Sequence, residues 1–382
     1  MLDRRAIAVL QRDRAGFLAT VDASGPDFAA RQAAVFDNLA NVPVASWAYL
    51  VDPAATHAIP ADRVTAYGDP VWAPAATLRY SLSGFDDLPT VANQGLTFVH
   101  RPTGWLLAAD DDFVGTPSAT SPELWDDGPV TAVSSTATLV LGHPQDHTAM
   151  AAVAMDAEAA IPVVSRVLGP SWVGRAVIVV PSDRGELSRL TGQPADLSQI
   201  AALATAGTVD AGGRHEIVGN RIVLNPDNFA RLAAPGRRVV LTHELTHLAS
   251  RSATAGVTPT WLVEGLADYV GYLDSTIPVA SAGRELTADL RAGRLPTDLP
   301  ANAAFDSANP DLPAVYEMSW LACRMIAERT DQAALLRFYR AVGHSTQTTS
   351  AAAVDQAMAT ELHTTPASFT AAWRTYLQTE LG

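Results

Sequence analysis

Ten residues, Val239-Val240-Leu241-Thr242-His243-Glu244-Leu245-Thr246-His247-Leu248, carry the strongest chemical signal in this 382-residue chain. Histidines four apart share one face of a helix, about one turn from each other. His243 and His247 can therefore offer two imidazole nitrogens to a single Zn2+. Glu244 neighbours the same face, where a carboxylate can take a proton from a water as general base. A zinc site that keeps one position for a reacting water needs a third protein ligand. The stretch Pro259-Thr260-Trp261-Leu262-Val263-Glu264-Gly265-Leu266-Ala267-Asp268-Tyr269 supplies a candidate. Thr258 as N-cap and Pro259 as first-turn proline predict a new helix there. On it Glu264 and Asp268 stand four apart on one face. Carboxylates on a partly apolar face are costly unless paired or metal-bound. Glu264 is the expected third ligand, and Asp268 the expected hydrogen-bond partner of a ligand histidine.

Two other segments share part of the pattern. His143 and His147 are also four apart, but Pro144, Gln145 and Asp146 follow the first histidine where a glutamate is needed. Pro144 marks a helix start, so this pair is expected to be structural. His215-Glu216 opens the motif again, yet Gly219 occupies the place of the second histidine.

His243-Glu244-x-x-His247 together with Trp261-Leu262-x-Glu264-Gly265-x-Ala267-Asp268-Tyr269 resembles the gluzincin zinc metallopeptidases, whose third ligand is a glutamate on a following helix. A metzincin would show Gly and His soon after His247, whereas Leu248-Ala249-Ser250-Arg251 follows. The 16 residues between His247 and Glu264 are fewer than the aminopeptidase branch uses, and no Gly-Ala-Met-Glu-Asn segment is present. The resemblance therefore does not extend to aminopeptidase specificity. It implies one zinc held by His243, His247 and Glu264 and a peptide or protein substrate; enzymes that resemble the two-domain layout are often exported, so an extracytoplasmic setting is expected, with a cytoplasmic one the alternative. It also implies a small mixed sheet before the motif helix, with residues 221–224 as the expected substrate-pairing edge strand, and a helical lobe behind the zinc. Tyr316-Glu317-Met318-Ser319 resembles the segment that carries the oxyanion-stabilising tyrosine, with Ser319 in place of its glycine. Tyr316 is thus the expected donor, ahead of Tyr269, Tyr272, Tyr339, His344, His363 and Tyr376. The alternative is a catalytically weak zinc- and peptide-binding module whose main role is recognition through the N-terminal domain, and the presence of Glu244 counts against it.

The elements upstream must position these residues. Residues 4–21 place Ile7, Leu10, Phe17 and Leu18 at helical spacing, and 26–39 read as a second helix. Strands are expected over 45–51, 77–82, 95–100 and 104–109, the last two joined by a hairpin at Arg101-Pro102-Thr103-Gly104. This order of elements resembles the NTF2-like (cystatin-like) cone. The Asp-, Pro-, Ser- and Gly-rich segment 110–129 reads as a linker, with Asp110-Asp111-Asp112 a solvated turn. The expected class is α+β, with a cone-like domain over 1–127 and the metallopeptidase domain over 128–382.

Bulk composition narrows the partners. The net charge is −14, and all 26 basic residues are arginine. An acidic balance argues against nucleic acid, because phosphate neutralisation needs a basic face. Cys323 alone cannot form an intrachain disulfide and reads as a small buried hydrophobe. No apolar run approaches the roughly 20 residues of a membrane span.

Overall fold

The computed structural model describes residues 1–68, 70–192, 199–210 and 215–382, with the side chains of Ser171, Asp210 and His215 also left undescribed. The chain is α+β and folds as two compact units, 1–154 with 176–196 and 205–226, and 155–175 with 197–204 and 227–382.

In the first unit the helix Leu2–Gln11 buries Arg5, Ala6, Ala8 and Val9. Ile7 and Leu10 are about half exposed, at 50% and 45%, so the inward face is not the one that the large apolar residues of the sequence suggest. Arg5 decides the rotation. Its guanidinium stacks 3.6 Å from the Phe17 ring centroid and donates to Tyr49, Thr20 and Gln32. A buried arginine with every direction occupied outweighs two leucine-sized side chains left at the surface. The strands divide into two small antiparallel sheets rather than one curved sheet. The first takes Val44–Thr56, Pro74–Leu82 and Thr90–Gln94 in that order; the second takes Val71–Trp72, Thr97–Arg101 and Gly104–Ala109. The expected hairpin closes with Arg101 opposite Gly104.

Segment 110–129 is not a solvated linker. The Asp112 carboxylate is fully buried and accepts hydrogen bonds from Thr97, Tyr67 and Arg63, while Gln32 and Arg31 donate to Asp110. Leu124 and Trp125 enter a core that also holds Phe17, Trp47, Tyr80, Leu139 and Val177. A cut at 127/128 would run through that core. Leu139, Leu141 and Val177 of the strands 138–142 and 176–180 are covered by the preceding elements, which is why these two strands belong to this unit.

That sheet has five strands in the order Ala202–Asp210, His215–Leu224, Ala176–Val180, Thr138–Gly142 and Thr131–Ser134. His215–Leu224, which contains the expected edge segment 221–224, is an interior strand. The edges are Ala202–Asp210 and Thr131–Ser134. Gly219 sits on the interior strand at φ 59°, and a Cβ there would lie 2.9 Å from Thr90 Cγ2. The second-histidine position of the His215-Glu216 pattern is therefore filled for a backbone reason.

The second unit is almost wholly helical. Its last three helices each begin on a side-chain cap: Asp331, Thr349 and Thr365 accept from Ala334, Ala352 and Ser368 N–H. Cys323 and Trp373 are fully buried and Tyr376 nearly so. No helix among the described residues is long and apolar enough to cross a membrane.

Candidate metal centre

Three helices of the second unit build the site: the motif helix Ala234–Ser250, the glutamate helix Thr260–Tyr272 and the tyrosine helix Leu312–Arg329. The motif helix buries Leu241, Leu245 and Leu248 on one side, which turns His243 and His247 to the other. The glutamate helix buries Trp261, Leu262, Leu266 and Val270, leaving Glu264 and Asp268 on its less buried face. Its N-terminus is not capped by Thr258. Thr258 Oγ1 closes a turn by accepting from Ala255 N–H, and Asn302 Oδ1 accepts from Thr260 N–H at 3.0 Å. That cap comes from 42 residues downstream.

Gly265 explains how close the helices lie. A Cβ there would overlap the Ser319 carbonyl oxygen and stand 2.8 Å from Cys323 Sγ. Any larger residue would push the glutamate helix off the tyrosine helix, and with it Glu264 and Tyr316.

The predicted ligands converge. His243 Nε2 and His247 Nε2 are 3.0 Å apart, and Glu264 Oε2 lies 3.2 and 3.3 Å from them. Tetrahedral zinc with bonds near 2.0–2.1 Å needs donor atoms roughly 3.3 Å apart. The observed triangle is one face of such a tetrahedron, so the residues fit the ion. Among the described residues these three form the only such group. Their side chains are 12–16% exposed, open enough to admit an ion.

Asp268 Oδ1 lies 2.7 Å from His243 Nδ1. The carboxylate can only accept, so Nδ1 carries the proton and Nε2 presents its lone pair to the triangle. Burial lowers the His243 pKa, but Asp268, Glu264 and Glu244 outweigh it, and the net direction is well upward. Burial raises the Glu264 carboxyl, yet the two histidines hold it below the usual carboxylate range. Glu244 is buried, and burial pushes its pKa up; the histidines and the Ala204 backbone N–H that donates to it offset part of the rise.

A cleft of about 860 Å3 opens over these groups. Tyr316 lines it, with its ring centroid 6.3 Å from that of His243 and 5.5 Å from that of Phe305. Burial, reinforced by the charges of Glu264, Asp268 and Glu244, keeps the Tyr316 hydroxyl protonated. Of the other candidate donors only Tyr272 lines the cleft. Tyr269 is turned to Gln332, Tyr339 to Thr254 and Tyr376 to Glu328, while His344 and His363 are exposed beyond helix ends. Three parts of the cleft wall were not anticipated from the sequence. They are the edge-strand segment Ala202-Leu203-Ala204, which takes the place expected of 221–224, and the side chains of Arg251 and Glu317. Arg251 had a usable signal, since it continues the four-residue spacing of His243 and His247.

No protein-family model matches the chain, and no curated protein does. Among solved structures it aligns with the crystal structure of a mutant M1 zinc metallopeptidase from Deinococcus radiodurans. The identity is 18% and the TM-score 0.34, over 66% of this chain and 53% of that one. The chain thus spans about half the length of that enzyme.

Proposed function

We propose that this chain is a zinc-dependent peptidase of the gluzincin kind, which hydrolyses peptide bonds in a peptide or protein substrate. The observation that carries the reading is the near-equilateral triangle of His243 Nε2, His247 Nε2 and Glu264 Oε2 with the buried carboxylate of Glu244 beside it. His243, His247 and Glu264 would hold the ion. Zinc bound there supplies Lewis acidity towards a carbonyl oxygen and lowers the pKa of a water.

The protein's own residues do the rest. Asp268 fixes the His243 tautomer and ring plane. Glu244 takes the proton of the attacking water, and its raised pKa brings it nearer to the leaving nitrogen's needs when that proton is passed on. Tyr316, protonated and facing the cleft, donates to the oxygen that becomes negative in the tetrahedral transition state. The edge strand presents backbone groups at Ala202–Ala204, where an extended substrate can pair.

Glu244→Gln tests the reading. The amide keeps the shape and cannot accept the proton, so cleavage in a peptide-library screen should fall about a hundredfold or more. Zinc content by elemental analysis should stay at that of the parent. Near-full turnover in this variant would move the base elsewhere, and a zinc-free parent after metal-replete purification would end the proposal.

A further inference from the structure

Arg251 follows the motif helix at the start of a short 3-10 turn, Arg251–Ala253, and completes a row with His243 and His247 at four-residue intervals. It lines the same cleft, beside Ser250, Thr254 and Ala204. Like Arg79 and Arg374 it is half-buried with an unpartnered Nε, but it is the one of the three that lines the cleft. Nε is buried without a hydrogen-bond partner, and Nη2 makes one long bond, 3.3 Å, to the Ala204 carbonyl. Among the described residues no carboxylate lies within ion-pair distance of it. Several other partly buried arginines are paired, Arg221 with Asp86, Arg237 with Asp156 and Arg324 with Glu380. A guanidinium has five donors, and burying Nε without an acceptor is costly. Burial accordingly lowers its pKa, with the charge of Glu244 opposing the fall.

Planar guanidinium donors match a carboxylate as a fork. At 1.5 Å per residue, Arg251 stands about 6 Å along the helix from His247 and about 12 Å from His243. Extended peptide covers that span in roughly two to four residues.

We propose that Arg251 is a specificity-determining residue that binds a carboxylate of the substrate, two to four residues from the bond that is cut. The inference deepens the peptidase reading and rests on it for the word substrate. The carboxylate has two sources, the free C-terminus of a short peptide or an Asp or Glu side chain within a longer one. The cleft also holds the carboxylates Glu244, Glu264, Asp268 and Glu317, and its other arginine, Arg284, is mostly exposed and paired with Glu285, which leaves Arg251 as the cation there without a carboxylate partner.

The test uses N-terminally fluorescent pentapeptides and the full-length chain. One arm compares the C-terminal acid with the C-terminal amide; the other compares internal Asp with Asn in peptides whose C-termini are all amides. Binding is read by anisotropy on metal-free protein and on Glu244→Gln, and kcat/KM on the parent. The parent should prefer the charged member of at least one arm by about ten- to a hundredfold, the usual scale for a charge-assisted hydrogen bond. Arg251→Gln should erase that ratio, and Arg251→Lys should restore part of it, since an ammonium gives charge without the fork. The arm that responds names the source. Equal binding of charged and neutral members by the parent overturns the assignment, as does a preference that survives Arg251→Gln. Charge-selective binding lost in Arg251→Gln, with no peptide cleaved, would uphold the site and remove only the peptidase reading.

Discussion

Two pairs of histidines in this chain are spaced four residues apart, one in each unit, and they have opposite chemistry. His243 and His247 both lie within one continuous helix, with their Nε2 atoms 3.0 Å apart. His143 is in extended backbone, φ −95° and ψ 155°, before the turn Pro144–Asp146, and His147 begins the next helix in an exposed position. Each first histidine has a carboxylate partner at 2.7 Å: Asp268 on His243 Nδ1, Glu186 on His143 Nε2. The second nitrogen makes the difference. On His243 it faces His247 and Glu264. On His143 it lies 2.9 Å from the Pro129 carbonyl. With an acceptor at both nitrogens the buried His143 ring is satisfied only as imidazolium, and it has no lone pair left for an ion. What separates the pairs is the far nitrogen's neighbour: a backbone carbonyl for His143, and two further side-chain donors able to share an ion for His243.

The largest effect that would break this comparison is loss of the metal. His243→Ala should reduce zinc from one per chain to near zero by elemental analysis, whereas His143→Ala should leave it untouched. The second variant should instead cost about 3–5 kcal/mol of unfolding free energy in denaturant titration, because Glu186 becomes a buried carboxylate without its partner. Equal zinc loss in both would erase the distinction.

Next in size is Tyr316→Phe. A donor used only in the transition state should lower kcat about a hundred- to a thousandfold and leave KM, zinc and Tm in place. An unchanged kcat would pass the role to Tyr272, the other candidate that lines the cleft.

Asp268→Asn sharpens the contrast between the two carboxylates. Zinc affinity by chelator competition should weaken about ten- to a hundredfold. Wild-type affinity would reduce Asp268 to a packing residue.

The smallest effect is a pH slope. Burial lowers the His143 pKa, but Glu186, the Pro129 carbonyl and the charge of Asp146 raise it above 6.5 on balance. A group whose pKa rises on folding stabilises the protein fully below its unfolded pKa and ceases to as pH climbs through the folded one. Unfolding free energy should therefore decline from pH 6.5 upward, and His143→Gln should flatten that decline. A slope of the same size in the variant would assign it to other groups.

The amount legible in the sequence differed between the two regions for a physical reason. Around the site the information is local. A four-residue spacing fixes which side chains share a helix face, so His243 with His247 and Glu264 with Asp268 could be paired before any fold was known. The proline after His143 likewise marked a helix start there, and with it a structural pair. In the first unit the information is distant. Arg5 outranks Ile7 and Leu10 because Phe17, Thr20, Gln32 and Tyr49 surround it, and no window of residues 1–18 contains that set. Segment 110–129 has the composition of a linker, but Arg31 and Arg63 pair with its aspartates, Tyr67 donates to Asp112 and Trp125 anchors it.

What the sequence determined by itself is the donor set: residue types and helical periodicity place two imidazoles and two carboxylates on two helix faces. Only the tertiary structure decided that those faces meet. The contact depends on Gly265 letting the glutamate helix settle against Ser319 and Cys323, and on Asn302 capping that helix from far downstream. It likewise decided that Ala202–Asp210, and not residues 221–224, is an edge strand, since strand order follows from long-range pairing that alternation along one strand cannot encode.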